Sequence, residues 1–110
     1  MLKFVLSKFQ KKKTVGIKTG KIIEQIHLEQ NFPNPFSQNT EISFRLAKAG
    51  QTKLTVYNML GKNIATLVNG LLGAGIHQLS FKAIDLPSGI YFYKLKSRDF
   101  SMVRKMLLHK

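Results

Sequence analysis

Side chains able to do acid–base or metal chemistry are sparse in this chain, and their densest grouping is Glu24, His27 and Glu29. Five carboxylates and three histidines are all that 110 residues carry. Successive side chains of a strand alternate faces, so His27 and Glu29 share one face and Glu24 takes the other. Two residues do not complete a zinc site. His77 and His109 stand alone. The stretch Gly16-Ile17-Lys18-Thr19-Gly20 has the composition of a phosphate loop but lacks its spacing and the apolar strand that must precede it. No nucleophile has a base and an orienting group at a suggestive spacing. The expectation is a non-catalytic protein without cofactor or metal.

Composition points instead to anionic partners. Eighteen Lys and Arg give a net charge of +13, a field that attracts nucleic acid, acidic lipid headgroups or lipopolysaccharide phosphates. Met1 to Gln30 holds seven lysines against Glu24 and Glu29, and Asn31 to Lys110 holds eleven basic residues against Glu41, Asp85 and Asp99, so the excess is spread along the chain. Lys11, Lys12 and Lys13 are candidate anion contacts, each able to touch a phosphate without reading sequence. Tyr57, Tyr91 and Tyr93 could stack bases. Their pattern also suits a sandwich core, and the lysines interrupt strands singly as solvated residues do, so nucleic acid is the weaker partner.

The elements that would position these residues are strands. Residues 1–21 differ from the rest, with lysines, two glycines and no apolar run above three residues. They read as a flexible basic arm or the remnant of an upstream region, with Leu2, Val5, Leu6 and Phe9 at helical spacing. Lys3 and Lys8 interrupt what a signal peptide would need as its apolar segment. No stretch approaches the roughly 20 apolar residues of a transmembrane helix. Cysteine is absent, so no disulfide supports the fold.

From Ile22 to Lys110 short alternating segments are broken by turn residues about every ten positions, the signature of a single sandwich or barrel domain. Seven strands are predicted: Ile23 to Glu29, Glu41 to Leu46, Thr52 to Tyr57, Asn63 to Val68, His77 to Lys82, Ile90 to Lys96 and Met102 to Leu108. Ile42, Phe44 and Leu46 alternate with Glu41, Ser43 and Arg45, so that strand has one wet face. Ile90 to Leu95 is apolar or aromatic on both faces. It is either covered on both sides or exposes aromatics on one. Gly61 suits a hairpin corner between the third and fourth strands. Asn69-Gly70 is a second turn signal, Leu86-Pro87-Ser88-Gly89 a third, and Arg98-Asp99 sets the last hairpin.

In Asn31 to Phe36, two prolines fix φ and bias the preceding residues toward extended backbone, giving a rigid crossing whose aromatics can pin it to a core. Six elements follow one order: Pro33-Asn34-Pro35-Phe36, Thr40 to Leu46, Val56-Tyr57-Asn58-Met59-Leu60-Gly61, Ala74-Gly75, Ser88-Gly89-Ile90-Tyr91 and Arg104-Lys105-Met106. Over Leu28 to Lys110 the chain resembles the type A C-terminal sorting domain of type IX secretion cargo proteins of Bacteroidetes-like bacteria.

The resemblance implies an all-β, seven-stranded immunoglobulin-like antiparallel β-sandwich. It implies a sorting signal that directs cargo, after inner-membrane export, through the outer-membrane translocon to the cell surface. A sortase-like protease would then remove it and could attach the cargo to anionic lipopolysaccharide. The sorting motif would comprise Pro33, Asn34, Pro35, Phe36, Tyr57, Gly61, Gly75, Ser88, Gly89, Tyr91, Arg104 and Lys105, with recognition at the last hairpin through Gly89, Tyr91, Arg104 and Lys105. Such domains normally end a long exported protein, so the chain reads as the terminal piece of one. Expressed as written, without a signal peptide, it would stay in the cytoplasm. The alternative is a free-standing basic β-sandwich module that binds an anionic polymer.

Overall fold

Alternation of apolar and polar side chains decides which strand faces meet. The computed structural model describes residues 25–110. It contains seven strands: β1 (Ile26–Leu28), β2 (Asn39–Leu46), β3 (Gly50–Tyr57), β4 (Asn63–Leu72), β5 (Gly75–Lys82), β6 (Gly89–Ser97) and β7 (Phe100–Leu108). They form two sheets, of order β1-β2-β5 and β4-β3-β6-β7, with every pair antiparallel. Among the described residues there is no helix, and so none long and apolar enough to cross a membrane.

The two sheets pack as a β-sandwich. Ile42, Phe44 and Leu46 of β2 are buried from one sheet, and Leu54, Val56, Tyr93, Leu95 and Met106 from the other. Each fully buried aliphatic side chain of this kind contributes about 1.5–3 kcal/mol relative to exposure. Two hydroxyls share the core without cost in unmet hydrogen bonds, because Thr52 Oγ1 and Ser97 Oγ lie 2.9 Å apart.

All seven predicted strands are present, with shifted ends. Ile23 and Glu24, assigned to the first, lie outside the described residues, as does the basic arm with Lys11, Lys12 and Lys13. Asn69-Gly70 is not a turn. Both residues sit inside β4, opposite Lys53 and Thr52, and the chain changes sheets only at Gly73-Ala74. Continued pairing with β3 outweighs the local turn preference of an Asn-Gly pair. The Gly61 corner is a turn as predicted, with φ at +82°. There Asn58 Oδ1 accepts from the Leu60 and Lys62 N–H groups. Arg98, at φ +57°, opens the two-residue turn between β6 and β7.

Strand β6 follows the one-sided option. Tyr91, Tyr93 and Leu95 are buried, whereas Ile90, Phe92 and Lys94 are half-buried on the outer face.

Candidate functional site

The chain between β1 and β2 leaves one sheet, touches the edge of the other and returns. Phe32 pairs with Glu41 of β2, its N–H donating to the Glu41 carbonyl at 3.0 Å. Four residues on, Phe36 pairs in parallel with the end of β7. Its N–H donates to the Leu107 carbonyl at 3.0 Å, and His109 N–H donates to the Phe36 carbonyl at 2.8 Å. The Leu107 N–H donates to Asn34 Oδ1 at 2.9 Å, and Gln30 Nε2 donates to the Lys105 carbonyl at 2.7 Å. Residues 30–36 are therefore a strap that satisfies the otherwise open edge of the terminal strand. The Phe32–Pro33 and Asn34–Pro35 peptide bonds in it are both cis.

Only one of its aromatics pins the strap. Phe36 is buried, its ring edge-on to Phe81 with centroids 6.3 Å apart, whereas Phe32 is 77% exposed. Cross-strand partners share a face. Pairing Phe32 with Glu41, whose carboxylate receives hydrogen bonds from Gln78 and Ser80 on the wet face, turns the Phe32 ring to solvent.

The strap is anchored inside by a polar cluster. Asn31 is buried, and its N–H donates to the Tyr93 hydroxyl at 2.8 Å. Its Nδ2 donates to Thr40 Oγ1 at 2.9 Å and to the Pro33 carbonyl at 3.1 Å, and its Oδ1 accepts from Gln30 Nε2 at 2.7 Å. Thr40 Oγ1 donates to the Pro33 carbonyl at 2.8 Å. The Tyr93 hydroxyl donates to the Glu29 carbonyl at 2.6 Å. Burial pushes the Tyr93 phenol up to about 12, against the lowering influence of the Asn31 N–H and the Arg104 charge. Arg104, half-buried beside it, donates from Nε to the Leu28 carbonyl at 2.9 Å and so ties β7 to β1.

The remaining motif residues separate into two groups. Tyr91 is buried and donates to the Pro87 carbonyl at 2.7 Å. The Asn58-Met59-Leu60 turn and Ser88-Gly89-Ile90-Tyr91 line one shallow groove of about 210 Å³, with Leu60 92% exposed at its rim. Gly89 pairs with Leu108, Tyr91 with Met106, and Phe92 with both Tyr57 and Lys105. Hence the Gly61 turn, Tyr57, Ser88, Gly89, Lys105 and the strap gather at one end of the sandwich. Gly75, opposite Leu46, is at the other end. So is the Arg98-Asp99 turn, which places the tip of the last hairpin far from Gly89 and Tyr91.

Asn31 and Thr40 enter the sequence reading only as the starts of the proline crossing and of a strand, and Tyr93 only as a stacking or core ring; their joint role as a hydrogen-bonded anchor is new. An Asn beside a proline crossing, with side-chain amide free to bind local backbone, was the available signal. His27 and Glu29 do share a face, Nε2 to Oε2 at 2.9 Å. No group of three metal-binding side chains occurs among the described residues. A further groove, of about 580 Å³, is lined by Ser37, Gln38, Lys82, Ile84 and Lys110 among others, and Lys110 Nζ donates to the Ile84 carbonyl there at 2.8 Å.

The described residues thus form a small antiparallel β-sandwich whose terminal strand is held by a proline-bearing strap. The model for the secretion system C-terminal sorting domain matches residues 30–109, and the chain belongs to that family. It carries a C-terminal sorting signal of type IX secretion, which implies interaction with that machinery and export to the cell surface or beyond. No curated protein matches the chain.

Proposed function

We propose that this domain is read as a folded label by the type IX translocon at the outer membrane, after its cargo has crossed the inner membrane and the periplasm. A sortase-like protease then removes it and releases the cargo or joins it to anionic lipopolysaccharide. The observation that carries this reading is the family match over residues 30–109, which begins with the strap and ends with the strand the strap holds.

Recognition is assigned to the end of the sandwich where the motifs gather. Exposed Pro33, Asn34, Pro35, Ser88, Gly89 and Lys105 supply contacts, with Tyr57 and Gly61 flanking the Asn58-Met59-Leu60 turn that lines the adjoining groove. Buried Phe36 and Tyr91 and half-buried Arg104 position them. Gly75 has a turn role at the far end. An immunoglobulin-like topology is supported by the three-plus-four sheet arrangement. The Tyr91-to-Pro87 bond on the crossing from β5 to β6 also supports it, because it has the form of the tyrosine corner of that fold.

The test is a fusion of the whole chain behind an exported reporter in a type IX-competent host. Reporter on the surface or in the medium is expected, with Lys105→Ala and Asn34→Ala reducing it. A folded fusion that stays in the periplasm would refute the assignment.

A further inference from the structure

Burial of Leu54 and Val56 in β3, Tyr93 and Leu95 in β6, and Met106 and Leu108 in β7 fixes the inner face of the four-stranded sheet. By alternation Lys53, Lys94, Lys96 and Lys105 all stand on its outer face. Lys53 is directly opposite Lys96, Lys94 is opposite Val103, and Lys105 is opposite Phe92. Directly opposed side chains start about 5 Å apart and diagonal ones about 7–8 Å, and opposed like charges are destabilising. Nothing on the sheet relieves them. None of β3, β4, β6 and β7 carries a carboxylate, and among the described residues the one ion pair, His27 with Glu29, is on the other sheet.

Lys53 and Lys96 line a concavity of about 240 Å³ with Gln51 and Asn69, closed at one end by the Arg98 backbone, whose N–H donates to the Gln51 carbonyl at 3.3 Å. The Arg98 side chain itself turns to the inner-face side at Gly50, where an added Cβ would fall 2.6 Å from its Cγ, and donates to the Ala49 carbonyl.

We propose that this face binds an acidic polysaccharide, its anionic groups seated between Lys53 and Lys96 and its chain continuing past Lys94 toward Lys105. Two opposed ammonium groups at one concavity are the arrangement an anion shared between them stabilises. The neutral side chains beside the cations, Gln51, Asn69, Thr66 and Ser101, are hydrogen-bonding groups that suit a hydroxyl-rich chain. Single-stranded nucleic acid asks for a series of exposed rings on which bases stack. Tyr91 and Tyr93 are in the core, and on this outer face the described strands present only the half-buried Tyr57 and Phe92 as rings. The Lys53–Lys96 concavity lies apart from the motif groove, and Lys105 alone is shared with the proposed sorting contacts, so the two assignments are tested by different residues.

The experiment measures binding of the full chain to heparin, as a sulfated polysaccharide, and to single-stranded oligothymidylate across a salt series. Lys53→Gln/Lys96→Gln is compared with Lys62→Gln/Lys82→Gln, which removes equal charge from off the face. The face variant is expected to lose roughly tenfold or more in heparin affinity and to flatten the salt slope by about two, with the control losing much less. Without ligand the face variant should melt no lower than the parent, because it relieves an opposed pair. Absence of heparin binding, or equal losses in the two variants, overturns the proposal. Tighter binding of oligothymidylate with the same dependence on Lys53 and Lys96 overturns the polysaccharide as ligand.

Discussion

Replacing Tyr93 with Phe removes a single oxygen and tests whether the strap is held from within. That oxygen accepts from the Asn31 N–H and donates to the Glu29 carbonyl, at 2.8 and 2.6 Å. A typical buried hydrogen bond contributes about 1 kcal/mol net, and a buried donor left unpaired costs about 1–3 kcal/mol. The ring itself still fills its place, so Tyr93→Phe should lower stability by about 2–3 kcal/mol. For a domain of this size, that is about 10–20 °C in melting temperature. Chemical denaturation monitored by circular dichroism measures it. The phenol also predicts a pH dependence. Its folded pKa of about 12 lies above the ordinary phenol value of 10.0, so the native state keeps a proton that the unfolded chain releases. Its contribution is complete below the unfolded value and is lost as pH rises toward the folded one, by about 1.4 kcal/mol per unit of separation. Tyr93→Phe should not show that alkaline loss. A stability change below about 0.5 kcal/mol, or an identical alkaline profile in the two proteins, would refute the reasoning.

Phe36→Ala should cost about 3–5 kcal/mol as a large-to-small change in the core, whereas Phe32→Ala should stay within about 0.5 kcal/mol. Equilibrium unfolding of the pair separates the buried ring from the exposed one. Gly61→Ala places a Cβ in open space at φ +82°, so any loss, about 1–2 kcal/mol, is purely conformational. Gly61→Asn should recover most of it. A chain beginning at residue 30, where the family match begins, lacks β1 and with it the buried Ile26 and Leu28. At about 1.5–3 kcal/mol each that loss approaches the whole stability of a small domain. Amide exchange should report it unfolded where a chain beginning at residue 25 is protected.

Strand positions were legible because their signal is local. Ile42, Phe44 and Leu46 against Glu41, Ser43 and Arg45 state period two without reference to any partner, and β2 follows it. Asn69-Gly70 misled for the converse reason. A turn preference is local, but β4 is held by register with β3 across two irregularities, and that pairing is invisible in the sequence. The same holds for Phe32 and Phe36. Both flank prolines and look equivalent until their partners are known, Glu41 on a wet face for one and the end of β7 for the other. The anchoring role of Asn31 was missed because its contacts lie as far as 62 residues away, at Tyr93. The motif order identified the family without revealing that two of its pieces, the Asn58 turn and Ser88-Gly89, adjoin one groove while Gly75 lies at the opposite end.

The two sides of the sandwich handle their exposed edges differently, and that asymmetry separates the two surfaces argued above. On one side β7 is sealed over its second half by Gln30, Asn34 and Phe36, and Arg104 ties it to β1, so its backbone groups near Lys105 and Leu107 are already engaged. Recognition there has to proceed through side chains and the shape of the strap, because the edge has little backbone left to offer an added strand. On the other side β4 is an unsealed edge of ten residues without a charged side chain, protected mainly by the irregularities in its pairing with β3. The lysines that would ordinarily guard such an edge stand instead on the neighbouring strands β3 and β6, on the outer face. Charge placed there does little to block strand addition at β4. It does concentrate positive potential over a flat surface, where an anionic chain can lie across several strands at once.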